Sequence, residues 1–499
     1  MVSKKKQFIS FKTKKLKKIG LNIIPGLTQT LAKSPTQFSE NFSPIFTMKG
    51  KGAIVIDYEN NSFIDTIMGV GPIILGYKNI SINNAIKKQL NKGIIFSLVN
   101  PLEIKLAKQL NKLIPNLEMF RFSKTGADAT SAAIRAARSY TSKTKILSCG
   151  YHGWHDWNAI TLNKNSGILN ENKRYIKKFS YNNFEYVADN LNSDVAAVIM
   201  EPIIFDFPKN KFLEKIRKLT KQKKTLLIFD EMWTGFRMHL GGAQAFFKIE
   251  ADLVCYSKAI ANGMPISVLG GRKKIMSSFE KKSFFYTTFG GEVLSIAAAL
   301  ECIRILKKEN VCKTIEIRGT KLIKEMNKLI NENNFNFLNV KGYGARSILN
   351  IQHENAMIIK TFIHQEFLKR GILWNGIISL SFSHNDFIIN KILRDFNEIL
   401  KLIKKIGLHK LNKNINGKRR RQLNINYRDV NIWQQINFKK NLSKELFDSF
   451  TEAELYLLKA RDSDPERNDW LFKHRIGLPI TNHYSPIPIQ NSLYPIDAE

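Results

Sequence analysis

The chain has 499 residues, 43% of them hydrophobic, enough for two or three domains around a large core and too apolar for a disordered polymer. Lys and Arg number 78 against 42 Asp and Glu, a net charge of +36, yet the lysines are scattered among isoleucines and asparagines, so the excess reads as compositional, and no nucleic-acid partner is expected. No apolar run approaches the roughly 18–20 residues that span a bilayer, and nothing resembling an apolar leader or cleavage site follows Met-Val-Ser-Lys-Lys-Lys, so neither a membrane nor secretion is expected.

In chain order, residues 1–20 are basic and read as frayed, and 24–35 as a loop. Short strands follow at Ala53–Asp57 and Ser62–Asp65, split by a Glu-Asn-Asn turn. Met68–Pro72 is a glycine-rich turn, and Ile82–Asn91 and Pro101–Leu113 have helical spacing. From about 115 to 300, strands (Met119–Phe122, Lys145–Ser148, Val195–Met200, Leu226–Phe229, Val268–Gly270) alternate with helices (Asp128–Tyr140, Lys211–Gln222, Val293–Lys307), which implies an α/β fold on a mostly parallel sheet. Residues 308–408 mix helices with short strands at Ser347–Ile351 and Ile378–Phe382, as in a smaller α+β domain. Leu411–Arg421 is polar and basic and reads as a linker, and Ser443–Arg461 as an amphipathic helix that docks on the main body or recruits a partner. Four cysteines, Cys149, Cys255, Cys302 and Cys312, have neither paired nor metal-ligand spacing, which favours a reducing cytoplasm and no metal.

The chemistry gathers between Thr225 and Gly271. The run Leu226–Phe229 ends in Asp230-Glu231, and Leu253–Ser257 ends in Lys258. Each ionisable group sits at the carboxyl end of a buried strand, the edge where parallel sheets bind ligands. A helix-capping Asp and a surface Lys are the bland alternatives. Together, an acid and a lysine so placed suit a cofactor with a basic ring nitrogen and an aldehyde, which is pyridoxal 5'-phosphate. Ser123-Lys124-Thr125-Gly126-Ala127-Asp128 sits between a strand and an alanine-rich helix, where unpaired amides and the helix dipole suit a phosphate; capping alone explains Thr125 or Asp128 equally well. In Cys149–Asp156, an aromatic ring between glycines suits stacking on a planar cofactor, while His152 and His155 raise a metal alternative that lacks a third ligand.

The order Thr125-Gly126-Ala127-Asp128-Ala129, Tyr151-His152-Gly153, Glu201-Pro202, Asp230 to Arg237, Lys258 and Thr287 to Gly291 resembles the class III aminotransferases, and Leu226–Phe247 most resembles glutamate-1-semialdehyde 2,1-aminomutases. The resemblance covers about residues 15–405. It implies a fold type I pyridoxal-phosphate transferase: a large cofactor-binding domain (61–305), a small C-terminal α+β domain (306–408) joined by the N-terminal segment (1–60), a basic linker (409–421), and an extension of no assigned role (422–499). It implies that Lys258 forms the Schiff base and relays a proton, that Asp230 holds the ring nitrogen protonated, that Tyr151 and Met232 pack on the two ring faces, and that His152 and Glu201 lie near the ring. Thr125, Gly126 and Ala127 would hold the phosphate, completed by Thr288 of a neighbouring subunit, which implies a homodimer. Lys33 falls where the aminomutases place a carboxylate-binding arginine, and Gly371–Gly376 lacks their glutamate. These departures point toward an intermolecular transaminase acting on an oxo-sugar or other acceptor as the alternative to an aminomutase. Intact Asp230 and Lys258 argue against an inactive scaffold.

Overall fold

A computed structural model describes residues 8–417 and 419; the expected extension 422–499 and its helix Ser443–Arg461 lie outside the described residues. The basic start is helical rather than frayed. Ser10 accepts from the Thr13 amide to cap Phe11–Ile23, and Phe8 and Ile9 are buried in a cluster with Val55, Phe63 and Leu368. Two apolar anchors ahead of the helix outweigh its run of lysines. The stretch expected as a loop from 24 to 35 is a series of short 3-10 turns at Pro25–Leu27, Leu31–Lys33 and Pro35–Gln37.

Strands β1 (Thr47–Lys51), β2 (Ile54–Asp57) and β3 (Ser62–Asp65) open the chain. The large sheet takes β4 (Met119–Ser123), β5 (Lys145–Cys149), β6 (Ile176–Lys178), β7 (Val195–Met200), β8 (Leu226–Asp230), β9 (Leu253–Tyr256) and β10 (Ser267–Gly271). Strands β11 (Leu338–Tyr343), β12 (Arg346–Ile351), β13 (Ile372–Leu373) and β14 (Ile377–Ser379) follow. Among the described residues the large sheet has the order β4-β10-β9-β8-β7-β5-β6. Strand β10 runs antiparallel to both its neighbours and the remaining pairs are parallel. The carboxyl ends of β4, β5, β7, β8 and β9 therefore share one edge.

Strand β7, Val-Ala-Ala-Val-Ile-Met, is buried at every position, the pattern of a strand covered on both faces. Its alternate residues feed two cores. Val198 and Met200 join Leu227 and Phe229 on one face; Ala197 and Ile199 join Ile146 and Ile228 on the other, beneath the alanine-rich face of the helix Gly126–Thr141. Strand β3 also pairs in parallel with β13, tying the start of the chain to residues 372–373, while β11, β12 and β14 form a separate three-stranded sheet. The stretch read as a linker from 409 is packed at its start: Leu408–Asn414 is a 3-10 helix with Leu411 buried, and Asn416 bonds Ser39 and Gln365. One buried leucine among lysines and asparagines outweighs their polar composition.

Candidate active site

Asp230 is the last residue of β8 and is 2% exposed. One carboxylate oxygen lies 2.8 Å from His152 Nδ1, and the other accepts from the Met232 amide at 3.0 Å. His152 is itself fixed: its ring stacks on Trp157, and its carbonyl accepts from the Thr130 hydroxyl at 2.6 Å. A buried carboxylate held this way keeps its position and stays an acceptor. Tyr151, half-buried beside it, has its hydroxyl pushed up by burial and then by the Asp230 charge.

Lys258 follows β9 at the start of a short 3-10 turn, with a left-handed φ of 48°. Burial first, and the Arg346 charge second, push its amine down to about 7. Its Nζ lies 3.9 Å from the centroid of the Trp233 ring, and that ring rests on Gly71, where φ is +102° and an added Cβ would meet it at 2.5 Å. The Arg346 guanidinium is also 3.9 Å from the Trp233 centroid and 4.5 Å from that of Phe205. Glu201, just past β7, accepts from the Tyr151 amide at 3.3 Å with Oε1 and faces Arg346 Nη1 at 3.7 Å with Oε2; burial raises its carboxyl despite that cation.

Past β4, Thr125 caps the helix Gly126–Thr141 through a reciprocal box: its Oγ1 accepts from the Asp128 amide and Asp128 Oδ2 accepts from the Thr125 amide at 2.8 Å. The amides of Gly126 and Ala127, at the first two helical positions, have no intrahelical acceptor. Met232 packs directly on this turn, its sulfur 2.8 Å from where a Gly126 Cβ would stand. The fold thus brings Thr125, Gly126, Ala127, Tyr151, His152, Glu201, Asp230, Met232 and Lys258 to one sheet edge. Two expected residues are exposed in this protomer. Thr288 is exposed in the segment before the helix Val293–Lys308, and Lys33 is exposed at the end of its 3-10 turn with no ion pair among the described residues. Sequence reasoning missed Trp233 and Arg346. Trp233 stood inside the quoted motif, where a large ring three residues past Asp230 was the available signal. Arg346 had none, since it arrives from the other sheet.

The donor set fits pyridoxal 5'-phosphate: a helix start with free amides for the phosphate, a fixed acceptor for a protonated ring nitrogen, and an amine that loses its proton near neutral pH for the aldehyde. The class-III aminotransferase family model matches residues 37–388. The chain is similar to a 3-aminobutyryl-CoA aminotransferase of Cloacimonas acidaminovorans (strain Evry), 38% identical over 320 residues, or 62% of this chain and 76% of that protein. It is similar to a glutamate-1-semialdehyde 2,1-aminomutase of Methanococcoides burtonii, 33% identical over 316 residues, or 59% and 74%. Among solved structures, a transaminase with PLP bound shares the fold at a TM-score of 0.73 and 22% identity, covering 80% of this chain and 99% of that one. A family match of this extent decides membership: the chain belongs to the class-III aminotransferases and is a pyridoxal-phosphate-dependent amino-transferring enzyme.

Proposed function

We propose that Lys258, Asp230 and the Thr125–Ala127 turn are the working residues of this enzyme, and that it moves an amino group from one small molecule to another rather than within one. The observation that carries the assignment is the Lys258 amine, pushed down to about 7 at the same sheet edge where His152 and Met232 hold Asp230. Transfer between two molecules is favoured because Lys33, at the position of the aminomutases' arginine, is exposed and unpaired among the described residues.

Pyridoxal phosphate supplies an aldehyde that condenses with amines and a ring that accepts the electrons released at the carbon beside the nitrogen. Lys258 presents an amine that loses its proton near neutral pH, and its Nζ would be the base that takes a proton and the acid that returns it. Asp230 opposes a positive charge at the ring nitrogen, and its bond to His152 keeps it from turning away. The Gly126 and Ala127 amides would hold the phosphate, with the helix dipole adding to the attraction. Tyr151 and Met232 would flank the ring, and Glu201 holds the Tyr151 backbone by accepting from its amide.

The site is completed in a homodimer, in which Thr288 of one protomer reaches the phosphate of the other. The segment around it is apolar and outward-facing: Phe284, Tyr286 and Phe289 are exposed, as are Phe96, Leu98 and Val99 in the adjoining segment that the Ile94 carbonyl ties to Val293. The large part carries the cofactor, and the smaller part is assembled from both ends of the described chain. Free, buried cysteines suit a cytoplasmic enzyme.

Purified protein mixed with pyridoxal phosphate should develop a visible absorbance band that Lys258→Ala removes. An amino donor alone should then convert it to pyridoxamine phosphate, and an acceptor should reverse the change. A single substrate rearranged with no donor would favour an aminomutase, and no Lys258-dependent band would sink the reading.

A further inference from the structure

Lys258 stands in a turn that its own backbone holds loosely. The lysine is left-handed, at φ 48°, and so is Asn262 at the far end of the turn, at φ 47°. That conformation suits asparagine and is costly for lysine, so it persists only where the surroundings fix it. The backbone bonds inside the turn are long: 3.3 Å from Ile260 to the Ser257 carbonyl, 3.4 Å from Asn262 to Ala259 and 3.2 Å from Met264 to Ala261. Side chains hold it more closely. Ser257 Oγ donates to the Ile266 carbonyl at 2.7 Å. Asn262 reaches a second segment, its Oδ1 accepting from the Leu75 amide at 2.8 Å and its Nδ2 donating to the Gly76 carbonyl at 3.1 Å.

That second segment is itself anchored. The Ile74 carbonyl accepts from the Phe382 amide at 2.7 Å, the Leu75 carbonyl accepts from the Ser383 hydroxyl at 2.8 Å, and Tyr77 exchanges two backbone bonds with Gly52. The same segment borders the lysine from another side, because Gly71 packs on the Trp233 ring, whose centroid is 3.9 Å from Lys258 Nζ. The contacts close into a circuit. It runs from Lys258 to Trp233, from Trp233 to Gly71, along the chain to Leu75 and Gly76, and through Asn262 back to the turn. Gly263 packs on this segment too, since a Cβ there would meet Ile73 at 2.8 Å. A packing contact tolerates sliding, whereas a donor and an acceptor on one planar carboxamide fix direction as well as distance.

We infer that Asn262 is the positioning residue of Lys258: its carboxamide ties the lysine's turn to Leu75 and Gly76 and so holds the amine buried against Trp233. Asn262 acts through the backbone of Lys258. Without its two bonds the turn relaxes and the amine reaches water, which removes the burial that lowers it most. This rests on the amino-transfer reading above, in which Lys258 is the working amine.

The test is the pH midpoint for capture of pyridoxal phosphate by Lys258, measured in the full chain. Asn262→Gly keeps the left-handed backbone free of strain and removes both bonds. Its midpoint should move up, and capture at pH 7 should slow about tenfold, the effect of one unit. Asn262→Ser, with one polar atom in place of two, should move the midpoint the same way by less, and it serves if the glycine chain does not fold. Asn327 is the control. Its carboxamide makes the same pair of bonds to the Val340 amide, at 2.7 Å, and carbonyl, at 3.0 Å, on β11 of the small sheet. Asn327→Ala should lower urea stability and leave the midpoint where it is in wild type. A wild-type midpoint in the Asn262 variants overturns the inference, as does an equal shift in Asn327→Ala, which would tie the midpoint to stability alone. Failure of the wild type to capture the cofactor at Lys258 would instead strike the amino-transfer reading.

Discussion

Two features of its surroundings hold the Lys258 amine below the ordinary lysine range: burial first and the Arg346 cation second. The sign of the consequence is definite. A depressed amine is unprotonated above about 7, whereas an ordinary lysine, near 10.4, would still be almost wholly protonated there. The initial rate of pyridoxal phosphate capture should therefore climb about tenfold per pH unit below 7 and level off above it. A rate that still climbs tenfold between about pH 8 and 9 would mean the amine is unperturbed. Asp230 and Lys258 were legible in the sequence because each ends an apolar run, and a strand end is a position that local pattern reveals. Arg346 was not: the residues that surround it, Glu201, Phe205 and Trp233, lie more than a hundred positions away, and only the packing of the small sheet on the large one brings them together.

At the scale of elements, the turn after β8 is held by the side chain of Glu231. Glu231 is fully buried, accepts from the Ala243 amide at 2.7 Å and the Gln244 amide at 2.8 Å, and receives the Thr234 hydroxyl. It thereby closes the loop between Asp230 and the helix Gly242–Phe247 and fixes the backbone that carries Met232 and Trp233. Glu231→Ala would strand two buried amides, at about 1–3 kcal/mol each, so urea unfolding should show a loss of about 2–6 kcal/mol, with weaker cofactor retention as the turn loosens. Stability within about 0.5 kcal/mol of wild type would show that water replaces the carboxylate and that the turn does not depend on it. The central strands were read nearly to the residue, since β7 and β8 are continuous apolar runs between polar turns. Strand β1 was missed because Thr-Met-Lys-Gly-Lys is almost entirely exposed and has no apolar alternation; its pairing with β2 makes it a strand. The start of the linker was misread for the complementary reason, a single anchoring leucine in polar sequence.

For the whole molecule, the outward-facing side chains on two adjoining segments are the informative surface. Leu98 is 84% exposed, Phe284 73% and Phe289 60%; scattered apolar residues need no explanation, but neighbouring ones of this size suit the proposed dimer interface. Thr288 stands among them and is exposed, as suits the proposed role of a residue that serves the partner's phosphate. The protein should sediment at about twice its 57.3 kDa chain mass. Joint substitution of Leu98 and Phe289 by glutamate places charges in that interface, and should give monomers that lose pyridoxal phosphate although every residue of the Lys258 edge is intact. Thr288→Ala should keep the dimer and weaken cofactor retention by about tenfold, the loss of one hydrogen bond to a charged group. The pair of variants separates assembly from binding: a monomer that holds the cofactor as firmly as wild type would place the whole phosphate site within one chain and leave Thr288 no part in it.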